Sequence, residues 1–363
     1  MRVHLLGIPH TITRDDFSHC AFTGKVQRMG PMLTAQGIEV IHYGVEGSVS
    51  GATEDANLMT EAEHLELLGH PYHEQPKSGF YGDDAVEGTP LYRQWNYNAR
   101  QELMARLEPG DLILLPFGRA HEAAIRDLPI LRRREVAAVE SGIGYAECFM
   151  PYRVYESEAW RHTITAREGR GGVVHESGRL DWVIPNYYSV SDWPFHAGGQ
   201  DVVFLGRIGK PKGVDLIPRL AAERPDINFK ICGQGDPAPY IGLPNVEFVP
   251  PMFGKARAAY LGSARAIICP STFTEPFCGV TIEAALCGTP AITSSYGAFT
   301  ETVKQGVTGI RCQTQNQWLD ALDKVVDISR HGVASRARAK YSLEAVGPQY
   351  KSAFSDVISN CLL

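Results

Sequence analysis

Two glutamates stand eight residues apart in Glu275-Pro-Phe-Cys-Gly-Val-Thr-Ile-Glu283, after the apolar run AIICPST and before EAALCGTPAI. A loop that leaves a strand and enters a helix near Gly279 aims the free N–H groups of Cys278, Gly279 and Val280 at one point. That arrangement holds an anion such as a diphosphate. Glu275 then lies in the loop beside the phosphates and Glu283 one turn into the helix. Each carboxylate accepts hydrogen bonds from two hydroxyls, which suits a sugar ring and a ribose. The plainer alternative is a helix start with incidental acids.

A second group lies in Phe204-Leu-Gly-Arg-Ile-Gly-Lys-Pro-Lys-Gly213, where a strand end delivers Arg207 and Lys212 into a glycine-containing loop. Cations at this place neutralise a departing diphosphate, on which negative charge grows as a glycosidic bond breaks. Lys210 competes for the lysine role, and the Lys-Gly pair favours Lys212. Lone basic loop residues are usually solvated; sharing a half-sheet with the acidic motif argues for function here.

The elements that must position these groups follow from hydrophobic patterning. Short β-rich runs at 201–206, 227–233, 246–249, 266–271, 290–294 and 309–312 alternate with helical patterns, which predicts parallel βαβ units in a doubly wound sheet. The first half repeats the scheme with strands at 2–8, 39–44, 111–117 and 135–140 and helices near 23–36, 94–107 and 120–127. Residues 45–93 read as a long, partly irregular insertion. The stretch 180–200 loses regular periodicity and is taken as the hinge. The division expected is a first domain over 1–195, a donor domain over 196–342, and a terminal helix over 343–363 packing back on the first domain.

The 363 residues suit two domains, and 44% hydrophobic with 21% charged residues describes a globular chain. The apolar start is too short for a secretory signal, and no run of eighteen apolar residues follows, so the reading is cytoplasmic. Eight cysteines without a CxxC pair read as buried thiols. A net charge of -6 argues against recognition of nucleic acid through bulk charge. The cluster Arg132, Arg133 and Arg134, near Arg119 and Arg126, is either a solvated face or a patch for an anionic acceptor or membrane surface.

Residues 201–312 resemble the donor half of glycosyltransferase family four in six ordered blocks: FLGRIGKPKG, ICGQGD, NVEFV, AIICPS, EPFCGVTIEAALCGTP and GAFTETVKQGVTG. VIPNYYSVSDWPF is similar to that family's interdomain segment, and with the terminal helix the likeness covers about two thirds of the chain. The resemblance implies an α/β GT-B fold, two Rossmann-like doubly wound domains facing across a cleft. It implies that Arg207 and Lys212 hold the diphosphate, that the amides after Phe277 touch phosphate and sugar, that Glu275 binds hexose hydroxyls and Glu283 the ribose, and that residues 249–252 lie near the base. Cys278 departs from the family's usual glycine and narrows the pocket by a side chain.

The first domain is less standard. Where the family usually ends a strand with a histidine, this chain has Glu140 in VAAVESGIGY. That carboxylate either serves the reacting sugar as a catalytic group or is a strand-end Glu bonded to nearby amides. Gly142 allows close backbone approach to a ligand, with Tyr145 beside it on the acceptor side. The loop after the first strand lacks the family's double glycine, and its His10 and His19 are acceptor-side candidates; this loop together with VESGIGY resembles a phage- or virus-type subset.

The activity implied is retaining transfer of a hexose-type sugar from a UDP- or GDP-sugar to a hydroxyl acceptor, without a metal or other cofactor. Rivals are a non-catalytic sugar-nucleotide or glycan-binding protein, a glycosyltransferase that modifies a DNA base, and phosphorylase or epimerase chemistry on the same fold. Nucleic acid enters only as an acceptor, and membrane contact only peripherally. The donor base and sugar, the acceptor and the oligomeric state are left open.

Overall fold

The computed structural model describes residues 1–17, 20–72, 88–169 and 180–361. They form two units. One comprises Met1–Glu156, Arg161–Tyr187 and Leu343–Leu363, and the other Ser157–Trp160 and Tyr188–Ser342. The chain therefore passes to the second unit at Tyr188 and returns to the first at Leu343, and earlier visits the second for four residues; the sequence places those two divisions at 195/196 and 342/343.

The first unit is built on a parallel sheet of β1 (Arg2–Leu6), β2 (Glu39–Val45), β3 (Glu54–Met59), β4 (Leu112–Leu115), β5 (Ala137–Ile143), β6 (Tyr152–Tyr155) and β7 (Leu180–Val183), in the order β3-β2-β1-β4-β5-β6-β7. Side chains alternate between two apolar layers, as the period of a strand demands. Val3, Leu5, Leu112 and Leu114 pack against Val26, Met29 and Leu33 of the helix Ala21–Thr34 and against Tyr350, Phe354 and Val357 of the closing helix Leu343–Cys361. Leu6, Ile41, Ile113 and Leu115 face Trp95, Ala99 and Leu103 of the helix Pro90–Arg106.

Three of these strands were not anticipated. Part of the stretch read as an insertion is regular, with β3 followed by the helix Glu61–Leu68, whose start is held by a capping box between Thr60 and Glu63. β7 lies inside the presumed hinge. In the arginine cluster, Arg126, Arg132 and Arg133 are paired with Glu122, Asp127 and Glu135, the solvated, self-neutralised face of the two readings.

The second unit repeats the parallel plan with β8 (Val202–Leu205), β9 (Phe229–Cys232), β10 (Val246–Val249), β11 (Ala266–Cys269), β12 (Ala291–Ser294) and β13 (Gly309–Cys312), in the order β10-β9-β8-β11-β12-β13. All six agree with the apolar runs of the sequence. The order reverses between β8 and β11, and at such a switch point the loops beyond the carboxyl ends diverge and leave a crevice. Among the described residues no helix is long and apolar enough to cross a membrane.

The first unit holds two buried histidines that disfavour charge. Burial pushes the pKa of His64 down to about 4, while its Nε2 donates to the Pro9 carbonyl at 2.8 Å and its Nδ1 accepts from the Tyr72 hydroxyl at 2.7 Å. His121 is fully buried, has no hydrogen-bond partner at either ring nitrogen among the described residues, and is pushed down to about 3. Both are neutral in the folded state and take up a proton near pH 6.5 when unfolded. Acidification below 6.5 therefore favours the unfolded chain, by about 1.4 kcal/mol per pH unit for each histidine until the folded-state value is reached. We expect the unfolding midpoint in urea to fall between pH 7 and pH 4.5, and His64→Gln to flatten that dependence; an unchanged slope in the variant would count against the assignment.

Candidate active site

The site residues of the second unit converge on the loops after β8 and β11. β8 ends at Leu205, and the chain then runs through Arg207 to a short turn at Lys210–Lys212 and Gly213. Gly213 has φ +70°, and a Cβ there would stand 1.9 Å from the Pro270 carbonyl oxygen, so only glycine lets the two loops meet. Their junction is sealed by Thr272, whose amide donates to the Pro211 carbonyl at 2.9 Å and whose hydroxyl donates to the Lys210 carbonyl at 3.1 Å.

This contact sets Lys212 on Glu275. Lys212 Nζ donates to Glu275 Oε1 at 2.7 Å and lies 4.8 Å from the centre of the Phe273 ring. The same carboxylate oxygen accepts from the Ser271 hydroxyl. Glu275 is 3% exposed, so these partners stabilise a charge that burial alone would disfavour. Arg207 is exposed to solvent on one side and crowded by protein on others. The crowding lowers its pKa, and the charge of Glu275 opposes that lowering. Of the two lysines weighed in the sequence, Lys212 is the one that reaches the carboxylate.

The helix Gly279–Leu286 begins where the sequence placed it. Its first amides, of Gly279 and Val280, have no acceptor among the described residues, as expected for a helix start. Phe277 is buried and meets the Tyr341 ring edge-on, so its side chain serves the core. A Cβ on Gly279 would lie 2.7 Å from the Tyr188 hydroxyl, which donates to the Gly279 carbonyl at 3.3 Å. Cys278 caps this helix with φ +62° and ψ +67°, a left-handed conformation for which glycine is the natural residue. Its thiol is hydrogen-bonded with Cys269; that bond first, and burial second, push its pKa far up, so it stays uncharged beside the helix start.

Glu283 lies one turn into the helix, with its side chain 14% exposed. Arg257 Nε donates to Glu283 Oε2 at 2.8 Å, and Nη2 of the same guanidinium reaches the same oxygen. Val249 and Met252, at the segment assigned to the base, pack against a cluster that also takes in Cys278 and Val280.

Four residues from the first half of the chain belong to this unit. Ser157 donates from its hydroxyl to the Pro276 carbonyl at 2.6 Å and accepts from the Trp160 amide at 3.1 Å. The amides of Glu158 and Ala159 donate to the Glu301 carboxylate at 2.9 and 2.8 Å. The loop that carries Glu275 is thus anchored from both sides.

The candidates in the first unit fare differently. Glu140 is not at a strand end: β5 continues to Ile143, with a register shift between Glu140 and Ile143. It is fully buried; Oε2 accepts from the amides of Phe149 and Met150, each at 2.9 Å, and Oε1 from the Tyr145 hydroxyl at 3.1 Å. Burial raises its pKa, and those amides work against the rise. The geometry is that of the plainer alternative, a carboxylate anchoring the 145–150 loop, and Tyr145 serves the same bond. Gly142 has φ +68°, and its carbonyl accepts from Lys25 Nζ at 2.8 Å, so a lysine side chain meets this backbone. Lys25 also pairs with buried Glu156. His10 is 3% exposed, bonded to the Tyr92 hydroxyl at 2.7 Å and packed on Phe117; aromatic packing has drawn it inside. His19 lies outside the described residues.

Residues 199–328 match the family of glycosyl transferases group 1. D-inositol 3-phosphate glycosyltransferases of Mycobacterium tuberculosis and Mycobacterium bovis are 29% identical over 160 residues, 39% of this chain and 33% of those proteins. The chain thus matches about a third of the length of these relatives. Among solved structures, AviGT4, a glycosyltransferase involved in avilamycin A biosynthesis, superposes with a TM-score of 0.69 at 16% identity, covering 99% of this chain and 98% of that one. Anabaena HepE in complex with UDP and glucose gives 0.67 at 14%, covering 98% and 99%. Sucrose-phosphate synthase from Thermosynechococcus elongatus gives 0.61 at 17%, covering 99% of both chains. The fold is therefore that of the GT-B glycosyltransferases, two Rossmann-like parallel α/β units.

Sequence reasoning missed Arg257, Ser271, Tyr188 and Lys25. Only Ser271 had a local signal, a hydroxyl four residues before Glu275 at a strand end. The strained cap gives a direct test. A left-handed non-glycine residue costs about 1–2 kcal/mol, of which the added freedom of glycine in the unfolded chain cancels about half. Cys278→Gly should leave the melting temperature unchanged or slightly raised, whereas the β-branched Cys278→Val should lower it. A glycine variant less stable than the valine variant would contradict the strain.

Proposed function

We propose that this chain is a glycosyltransferase that moves a hexose-type sugar from a nucleoside diphosphate sugar to a hydroxyl acceptor with retention at the anomeric carbon, in the manner of glycosyltransferase family four. The observation that carries the reading is the convergence of Lys212 and Ser271 on Glu275 beside a helix start with open amides. The glycosyl transferases group 1 match over 199–328 covers the same residues. HepE, described with UDP and glucose, supports a UDP-sugar as the donor.

On this reading the diphosphate lies against the Gly279 and Val280 amides, with Arg207 and Lys212 as its counter-charges. Glu275, held on one oxygen by Lys212 and Ser271, offers the other to hexose hydroxyls, and Glu283 takes the ribose. As the bond from the anomeric carbon to the phosphate oxygen breaks, its electron pair passes to the diphosphate, where these donors stabilise it. The acceptor oxygen bonds to the same face of the carbon, and its proton goes to the departing phosphate oxygen. The cationic side chains and the helix start meet the charge that a metal ion serves elsewhere, so we expect transfer to proceed at the same rate with and without EDTA. An activity abolished by the chelator and restored by a divalent ion would overturn that part of the reading.

The central test is calorimetric titration with UDP, GDP and ADP and their glucose forms. One nucleotide should bind in the micromolar range, and Arg207→Ala and Glu283→Ala should each weaken it by about 10- to 100-fold, the worth of a hydrogen bond to a charged group. Binding of none of them would remove the donor site. Tight binding with no transfer to any member of a panel of glycans, lipids, small polyols, peptides and hydroxymethylated DNA would favour a binding protein instead.

A further inference from the structure

Glu283 is gripped in an unusual way. Both donors of Arg257 converge on Oε2, whereas a fork of this kind commonly takes one carboxylate oxygen per nitrogen. Oε1 is left with no hydrogen-bond partner among the described residues and lies 3.9 Å from the place of a Cβ on Gly279. The free oxygen thus looks to the helix start, where the open amides are. Arg257 rides on the helix Gly254–Gly262, whose first residue follows Met252 by two positions. The base-side segment and the ribose-side carboxylate are therefore joined through one guanidinium.

Two physical consequences follow. A glutamate on a helix has three side-chain torsions, and pinning Oε2 fixes where Oε1 stands before any ligand arrives, which removes an ordering cost from binding. A bare carboxylate beside the diphosphate would also repel it, and the Arg257 charge cancels that repulsion at short range.

We infer that Arg257 is a positioning residue for nucleotide recognition: it holds Glu283 so that Oε1 meets the ribose hydroxyls, and it thereby makes the site discriminate ribose from deoxyribose. This inference rests on the assignment of Glu283 to the ribose, and the experiment separates the two. Dissociation constants for UDP and 2′,3′-dideoxy-UDP are measured by calorimetry on the full chain and on Arg257→Ala, Arg257→Gln and Arg257→Lys; if GDP is the nucleotide bound, GDP and its dideoxy form take their place. The unsubstituted protein should prefer the ribonucleotide by about tenfold or more. Arg257→Ala and Arg257→Gln should reduce the preference to about twofold by weakening the ribonucleotide alone, and Arg257→Lys, which keeps the charge but not the fork, should restore part of it. A chain that binds UDP with no ribose preference would overturn the ribose assignment of Glu283. A preference that survives in Arg257→Ala and Arg257→Gln would overturn the role of Arg257. An equal loss for both nucleotides would overturn it as well and place Arg257 on the phosphates. Thermal unfolding of each variant identifies any that is misfolded, and the Gln variant, close in length and still polar, carries the test if the Ala variant is.

Discussion

The buried carboxylate of Glu275 is the constraint around which the second unit is arranged. A charge with 3% exposure is tolerable only with partners placed in advance, and those partners come from two separate loops. Lys212 arrives from the loop after β8 and Ser271 from the end of β11. For them to meet, β8 and β11 must be neighbours, as the sheet order makes them, and Gly213 must lie flush on Pro270. The apolar strands thus do more than fill a core: they set the spacing at which one ion pair closes and fixes two loops.

The helix start shows the same economy under strain. Cys278 accepts a left-handed backbone so that the chain can turn from the Glu275 loop into the helix with its first amides open. Tyr188 and Arg257 then hold the two sides of that turn, one on the Gly279 carbonyl and one on Glu283. Open amides and paired acids thus occur together within nine residues of sequence, 275–283.

What was readable beforehand follows from how local each signal is. Each of the six strands of the second unit is a short segment rich in apolar residues and bounded by glycine, proline or polar turns, and each was visible. In the first unit β3 and β7 are edge strands that carry acids, EDANLM with Glu54 and Asp55 exposed and LDWV with Asp181 half-buried, and β6 is four residues with a paired arginine. None of the three has the continuous hydrophobicity that marks a central parallel strand. Glu275, Glu283, Arg207 and Lys212 were legible as candidates because they cluster in two short motifs. Arg257 was not, because it meets Glu283 across 26 positions from a helix with no other mark. His10 and Glu140 misled for the opposite reason: their chemistry is suggestive in sequence, but their neighbours, Tyr92 and Phe117 for one and the Phe149 and Met150 amides for the other, bury them.

The second unit is also not self-contained along the chain. Ser157–Trp160 is inserted into it from between β6 and the rest of the helix that ends at Glu168, and supplies the hydroxyl on the Pro276 carbonyl and two amides on Glu301. A polypeptide of residues 188–342 alone would leave the loop of Glu275 untied on one side and the Glu301 carboxylate without those donors. The half of the sequence that carries the Glu275 loop is therefore not a transferable cassette. During synthesis the Ser157 and Lys212 braces emerge before the loop, whereas the Ala298 amide on the Glu275 carbonyl and the Ser294 hydroxyl on the Ser271 carbonyl emerge after it; a split or permuted gene would separate the loop from its earlier brace.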